Sequence, residues 1–394
     1  MVYLLGEFYV SGSILVLARN QSLPVLFTPS LTEREHVFSG TLNEEEISRK
    51  LHVNVTSIEN LATFLASQTV HTPSNLELVH ENLHDYQRQL RQNNVTIIQN
   101  DLLAQLIVYS RFYKTDSELF ALEYASQVAA RAHEKIKSEI ANSKATESIL
   151  ASQFSLYCAE CSARLQAYNP IVGVGKHAAV LHFPTGESWD GGMTSIPKHA
   201  FVLIDAAPQW RGYASDLTRT YAASVTPEMK RIHHIVARAQ KTGIQSYYVG
   251  GTWKGLVDKT VDSLLIGLVD IGLIHGEWTE LREREVIKVF MPHGVGHPVG
   301  LDVHDPIPKR FYNGSSYDYV LANGMVHTVE PGIYFIPYLL DRLREDPNDP
   351  KHELIDWELL DTYLHVGGVR IEDVIAIDNQ GKSQIFTKAK RFIW

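Results

Sequence analysis

Asp205 and Asp216 lie in adjoining apolar runs within FVLIDAAPQWRGYASDLTRTY, residues 201–221. Both runs are rich in β-formers, and Pro208 to Gly212 between them carry turn chemistry, which predicts a β-hairpin. A turn centred between Trp210 and Arg211 sets the two aspartates directly opposite each other on one sheet face. Opposed residues hold their Cβ atoms about 4.5–5.5 Å apart. Two carboxylates that close in a half-buried sheet repel, and burial disfavours both charges. A cation between them removes the conflict. The competing reading, in which each aspartate ends a strand and faces water, suits a lone aspartate better than a registered pair.

More ligand types follow. The run FMPHGVGHPVGLDVHD, residues 290–305, holds His293, His297 and His304 in a stretch broken by glycines and a proline. Neither a helix nor a long strand can carry all three, and glycines let side chains crowd around a site. Glu330 stands in MVHTVEPGIYF, and Glu372 in GGVRIEDVIAI, where it shares a strand face with Arg370. A glutamate inside an apolar strand is costly unless it is paired or binds an ion. Glu330 could instead serve a turn before Pro331, and Glu372 could pair with an arginine. Four carboxylates with one or more histidines suit two divalent metal ions about 3.5–4 Å apart, with a water between them that loses a proton near neutral pH. Carboxylate-rich coordination favours Mn²⁺ over thiolate-type zinc. The residues read as a dinuclear metallohydrolase, and the spacing does not name its substrate.

The elements that must position these residues form two domains, as 394 residues exceed one ordinary core. Residues 1–108 alternate short strands and helices, an α/β texture, with a helix from Asn43 to Lys50 capped by Asn43. Residues 109–394 open at Thr115-Asp116-Ser117-Glu118, a capping-box pattern. Thr226-Pro227-Glu228 starts a second helix, and Trp253 to Ile274 forms a third. Helices between hairpin-rich segments predict an α+β domain with helices packed on a curved antiparallel sheet. A net charge of -9 argues against nucleic-acid partners. No apolar run reaches the roughly 18 residues of a membrane span. Two cysteines, Cys158 and Cys161, give no disulfide framework, read as core packing, and point to a reducing, cytoplasmic compartment.

At DAAPQWRGYASDLTRTY, MPHGVGHPVGLDVHD, TVEPGIYF and GGVRIED the chain resembles the pita-bread metallopeptidases, the family of prolidase (Xaa-Pro dipeptidase), aminopeptidase P and methionine aminopeptidase. The continuation YFIPYLLD from Tyr334 looks most like the prolidase branch. The resemblance covers nearly the whole chain and implies a pita-bread catalytic domain after a smaller, N-terminally shortened α/β domain. It implies a manganese dipeptidase acting on Xaa-Pro dipeptides, and a homodimer. Asp205 would hold one ion, His297 and Glu330 the other, and Asp216 and Glu372 would bridge both. Glu330 would also act as general base, His304 would stabilise the tetrahedral intermediate, and His293 would line the site. His182 and Arg370 match substrate-binding positions.

Three departures stand out. Prolidases carry a carboxylate-binding arginine roughly 14 residues before the TVEPG glutamate, where this chain has Ser316. That change predicts a different amide or peptide substrate as the alternative to a dipeptide, and a non-catalytic binding module is the third possibility. The first strands and helix of the usual N-terminal domain are not matched. His327 replaces an apolar residue, and strand alternation turns it to the face opposite Glu330. Phe38 aligns with an aromatic that in prolidase dimers reaches the partner's active site.

Overall fold

The computed structural model describes residues 13–39, 43–73, 83–140, 145–186, 192–193, 195–313 and 316–389. It divides into two compact units, Met1–Ser110 and Arg111–Trp394. In the first, β1 (Ile14–Val16) runs antiparallel to β2 (Val25–Thr28), and β3 (Asn54–Ser57) lies parallel on the far side of β2. A parallel neighbour needs a crossover, which α1 (Glu33–Ser39) and α2 (Glu44–Leu51) supply. Asn43 caps α2, accepting from the Glu46 backbone at 3.0 Å, and three glutamates fill the first turn at its positive end. A second parallel pair, β4 (Thr69–Pro73) and β5 (Thr96–Asn100), is joined through α3 (Leu83–Gln92).

The second unit repeats one plan: helices over an antiparallel sheet. Helices α4 (Asp116–Glu139) and α5 (Glu147–Glu160) bury Ile136, Leu150 and Phe154 against Val172, Val202 and Ile204. The last three belong to β7 (Ile171–Val174) and β8 (Val202–Asp205), and β11 (Thr218–Tyr221) completes that sheet. Cys158 is fully buried in this core and Cys161 ends α5, so both act in packing. Helices α6 (Pro227–Gln245) and α7 (Trp253–Asp270) bury Val236, Leu264 and Leu268 against Val329 and Ile375. These two come from β14 (Val326–Val329) and β17 (Asp373–Ile377), flanked by β18 (Ser383–Ile385). A smaller pair, β15 (Gly332–Tyr334) and β16 (Gly368–Arg370), lies between. The expected caps form: Thr115 and Glu118 make a reciprocal capping box on α4, and Thr226 caps α6 with proline at its first position.

The aspartate hairpin forms with a different register. Asp205 pairs with Thr218, and Trp210 of β9 (Pro208–Trp210) pairs with Tyr213 of β10 (Tyr213–Ala214). The turn residues are Arg211 and Gly212, with φ of 51° and 80°. A two-residue turn with both φ values positive matches the right-handed twist of the strands and fixes their register. The expected centre between Trp210 and Arg211 is therefore wrong, and the aspartates are not directly opposed. The offset moves the partner by two residues, so both aspartates keep one face and become diagonal neighbours.

Candidate metal centre

Strand ends and the bends beside them deliver the acids. Asp205 ends β8, Asp216 precedes β11, Glu330 follows β14, and Glu372 falls between β16 and β17. His297 lies in an extended segment that pairs with β14: its carbonyl accepts from Thr328 at 2.8 Å, and the Glu330 N–H donates to Val295 at 2.8 Å. The two sheets meet here because the Glu372 N–H donates to the Thr218 carbonyl at 3.1 Å.

Asp216, His297 and Glu372 offer donor atoms within 4.8 Å of one another. His297 Nε2 lies 3.4 Å from both Asp216 Oδ2 and Glu330 Oε1. The hydroxyl of Tyr168 stands 2.5 Å from Asp205 Oδ1 and 2.7 Å from Asp216 Oδ1. All five residues expected to bind metal thus converge. Asp216 and Glu372 are 5% and 2% exposed, so the floor of the cluster is withdrawn from water.

That floor is electrostatically uncomfortable. Burial pushes the Asp205 carboxyl upward despite the Arg370 guanidinium, and Asp216 adds to the rise. Burial also drives Glu372 well up, with Asp216, Glu330 and Asp205 acting in the same direction. Glu330 is pushed to about 7 by burial, against the pull of His297. Burial works against a charge on His297, yet Asp216 and Glu330 overcome it and hold the imidazole at about 9. Tyr168 has one proton to give two carboxylates, so the acids must share a further proton or a cation. The donor set fits a divalent ion. His297 Nδ1 faces its neighbour's carbonyl, Pro298 O, at 3.1 Å, which leaves Nε2 aimed at the acids, the arrangement of a metal-bound histidine.

Behind the acids lies a layer of neutral and cationic donors. Thr218 Oγ1 donates to Glu372 Oε2 at 2.6 Å. Arg219 Nη1 donates to the carbonyls of Thr218 and Glu372 at 3.0 and 2.6 Å, and its Nη2 to Asp373 at 2.6 Å. Gln240 completes the Asp373 carboxylate at 2.6 Å. Arg370, expected at the substrate end, is 4% exposed and donates to Asp205 Oδ2 at 2.6 Å and to Tyr334 at 2.9 Å. Its other neighbour, Thr218, accepts from Nε at 3.1 Å, so each of the three guanidinium nitrogens has a partner.

The remaining histidines rim the cluster. His293 is half-buried, its Nε2 paired with the Tyr334 hydroxyl at 2.9 Å. Burial, with Arg370 beside it, lowers its pKa to about 4. The exposed His304 packs its ring on His297, with centroids 4.1 Å apart. The exposed His182 lies near enough that its charge would disfavour charge on both His293 and His304. His327 faces away from the site as alternation predicts. It is fully buried between the Tyr247 and Tyr319 hydroxyls at 2.9 and 2.6 Å, and burial keeps it neutral. Tyr168, Tyr334 and Thr218 complete the site with hydroxyls that no sequence pattern marks. Arg219 alone carries a signal, as a lone cation in a run of β-formers. Ser316 starts β13 (Ser316–Tyr317), which pairs with β12 (Tyr312–Asn313). Phe38 is exposed on α1.

Residues 121–379 match the family described as Metallopeptidase family M24. The chain belongs to that family. Among its relatives, the probable Xaa-Pro aminopeptidase of Podospora anserina is 33% identical over 299 residues, 73% of this chain. The match spans 63% of that relative, a little under two thirds of its length. The probable Xaa-Pro aminopeptidase of Aspergillus clavatus is 28% identical over 97% of this chain and 85% of its own. Among solved structures, Escherichia coli aminopeptidase P in its low-pH form is 25% identical with a TM-score of 0.79, and Pseudomonas aeruginosa aminopeptidase PepP is 24% identical with a TM-score of 0.77. Each covers 98% of this chain, which covers 85% of each. The M24 chain therefore has the pita-bread α+β fold with a smaller N-terminal domain, as expected. The relatives carry the name of aminopeptidase P, not of prolidase. None of the described helices is long and apolar enough to cross a membrane.

Proposed function

We propose that this M24 metallopeptidase is an Xaa-Pro aminopeptidase that removes the residue before a penultimate proline from peptides longer than two residues. The observation that carries the reaction class is the crowding of Asp205, Asp216, Glu330 and Glu372 around His297, with burial raising Asp205, Glu330 and Glu372. The choice of aminopeptidase over dipeptidase draws on the names of the relatives and on position 316. A serine there removes the cation that would bind the free proline carboxylate of a dipeptide, and a longer peptide has an amide at that point.

Two divalent ions, Mn²⁺ first among them, would be held by Asp205, Asp216, His297, Glu330 and Glu372, and when bound they would polarise the scissile carbonyl and acidify a water. Glu330, half-buried beside His297 at the edge of the acid cluster, is placed to transfer a proton between water and substrate. It takes the proton of the attacking water and returns it to the prolyl nitrogen as that nitrogen leaves. His304 and His182, exposed at the mouth, meet the substrate, and His304 donates to the carbonyl oxygen as negative charge develops there. Arg370 holds Asp205 and Tyr334 from behind, and Tyr334 orients His293.

Purified protein loaded with Mn²⁺ tests this on Ala-Pro, Ala-Pro-Ala and Ala-Ala-Ala. Release of alanine from Ala-Pro-Ala well ahead of Ala-Pro is expected. Preference for Ala-Pro would return the chain to the dipeptidase reading, and metal-loaded protein inert on every peptide would favour a binding role.

A further inference from the structure

The loop that carries His304 is built around a buried ion cluster. After His297 the chain folds back on itself: the Asp305 N–H donates to the Pro298 carbonyl at 2.9 Å, and the Gly300 N–H to the Asp302 carbonyl at 3.0 Å. The Asp305 side chain turns inward and is 1% exposed. It packs so closely on Gly300 that a Cβ there would stand 2.4 Å from a carboxylate oxygen. Its Oδ2 accepts from Lys114 Nζ at 3.1 Å, and its Oδ1 from Arg111. Lys114 is itself 1% exposed, with its backbone N–H tied to the Gly324 carbonyl at 2.8 Å. Arg111 grips the loop a second time through Asp302 at 2.5 Å.

An anion and an ammonium group are expensive to bury, and apolar residues of similar volume close a loop at no such cost. A fixed geometry is what the ionic arrangement adds. His304 is adjacent in sequence and exposed, so beyond its ring contact with His297 its surroundings do little to orient it. We propose that Asp305, clamped by Lys114 and Arg111, is a positioning residue that holds His304 against His297 and toward the substrate. This rests on the reading of His304 as a substrate-contacting donor.

The test is a mutant cycle on metal-loaded protein with Ala-Pro-Ala. His304→Ala should lower kcat by about 10²-fold, the worth of one donor to developing charge. Asp305→Asn should lower kcat by about tenfold or more through misplacement, with KM and metal content unchanged. The double variant should be no slower than His304→Ala, since nothing is left to misplace. Wild-type kcat in Asp305→Asn, or losses that multiply in the double variant, would overturn the proposal. If Asp305→Asn does not fold, Arg111→Gln, which keeps the Lys114–Asp305 pair, enters the same cycle under the same criteria. A readout independent of turnover is the His304 ring signal by NMR in the metal-free protein. It should shift in either variant, and an unmoved signal contradicts the proposal. An inactive wild type would instead sink the peptidase reading and leave the NMR result to judge the loop.

Discussion

The floor and the rim of this site are built in opposite ways. On the floor, Asp205, Asp216 and Glu372 are buried at the ends and bends of strands, and each acid has a donor behind it: Tyr168, Arg370 or Thr218. At the rim, His182 and His304 are exposed, and His293 is half-buried in glycine-broken chain. A rigid floor suits groups that must hold like charges together. An accessible rim suits groups that must meet a peptide and release it. Changes to the floor should therefore alter metal binding and stability, and changes to the rim should alter turnover alone.

The largest effect is expected from Asp216→Asn. One preorganised electrostatic donor contributes about 10²–10³ in rate, and loss of a ligand that also loosens the ion should exceed that in kcat/KM. Metal analysis should show substoichiometric binding; full occupancy with near-normal turnover would erase the distinction. Next comes Arg219→Ala, which strands the buried Asp373 carboxylate beneath Glu372. Breaking a buried pair costs about 3–5 kcal/mol, measurable by urea unfolding of the metal-free protein. Tyr168→Phe removes a donor shared by two acids while leaving both ligands. Partners behind metal ligands are worth about 10–100-fold in metal affinity, so a calorimetric titration should weaken by that much, with kcat largely restored at saturating metal. The smallest change is expected for His182→Ala: about tenfold or less in kcat/KM, with metal affinity as in the wild type. A drop in metal affinity there would blur floor into rim.

The same division governs what the sequence discloses. The four acids that converge stand out because charged groups in apolar runs violate the burial rule, and that violation is visible residue by residue, while His297 stands out as one of three histidines in a glycine-broken run. The face shared by Asp205 and Asp216 is visible through alternation. Their register is not, because it depends on Arg211 adopting a positive φ, a conformation that Asn or Gly signals and arginine does not. His327 is assigned to the far side by alternation alone, and the Tyr247 and Tyr319 hydroxyls explain how a polar residue survives there. Tyr168 and Thr218 pass unnoticed because an uncharged hydroxyl in a strand or loop breaks no rule. Their partners, 37 to 154 residues away, exist only once the two sheets have met. Arg370 is legible only in part for a related reason: sequence shows its strand face, while its partners Asp205, Tyr334 and Thr218 lie on other strands.

The central claim is that the crowded acids are held together by divalent cations, and calorimetric titration of metal-free protein with Mn²⁺ across pH tests it directly. Before metal binds, His297 near 9 retains its proton at neutral pH, and Glu330 near 7 is protonated in part. Both are raised above their unfolded values, so the stability they give the metal-free protein is full at low pH and is lost as pH rises through about 7 and then about 9. Binding should therefore release protons, tighten as pH rises from 6 to 8, and stabilise the fold most at the alkaline end. Folded protein that takes up no Mn²⁺, or that takes it up without proton release and equally well after Asp216→Asn, would contradict the account.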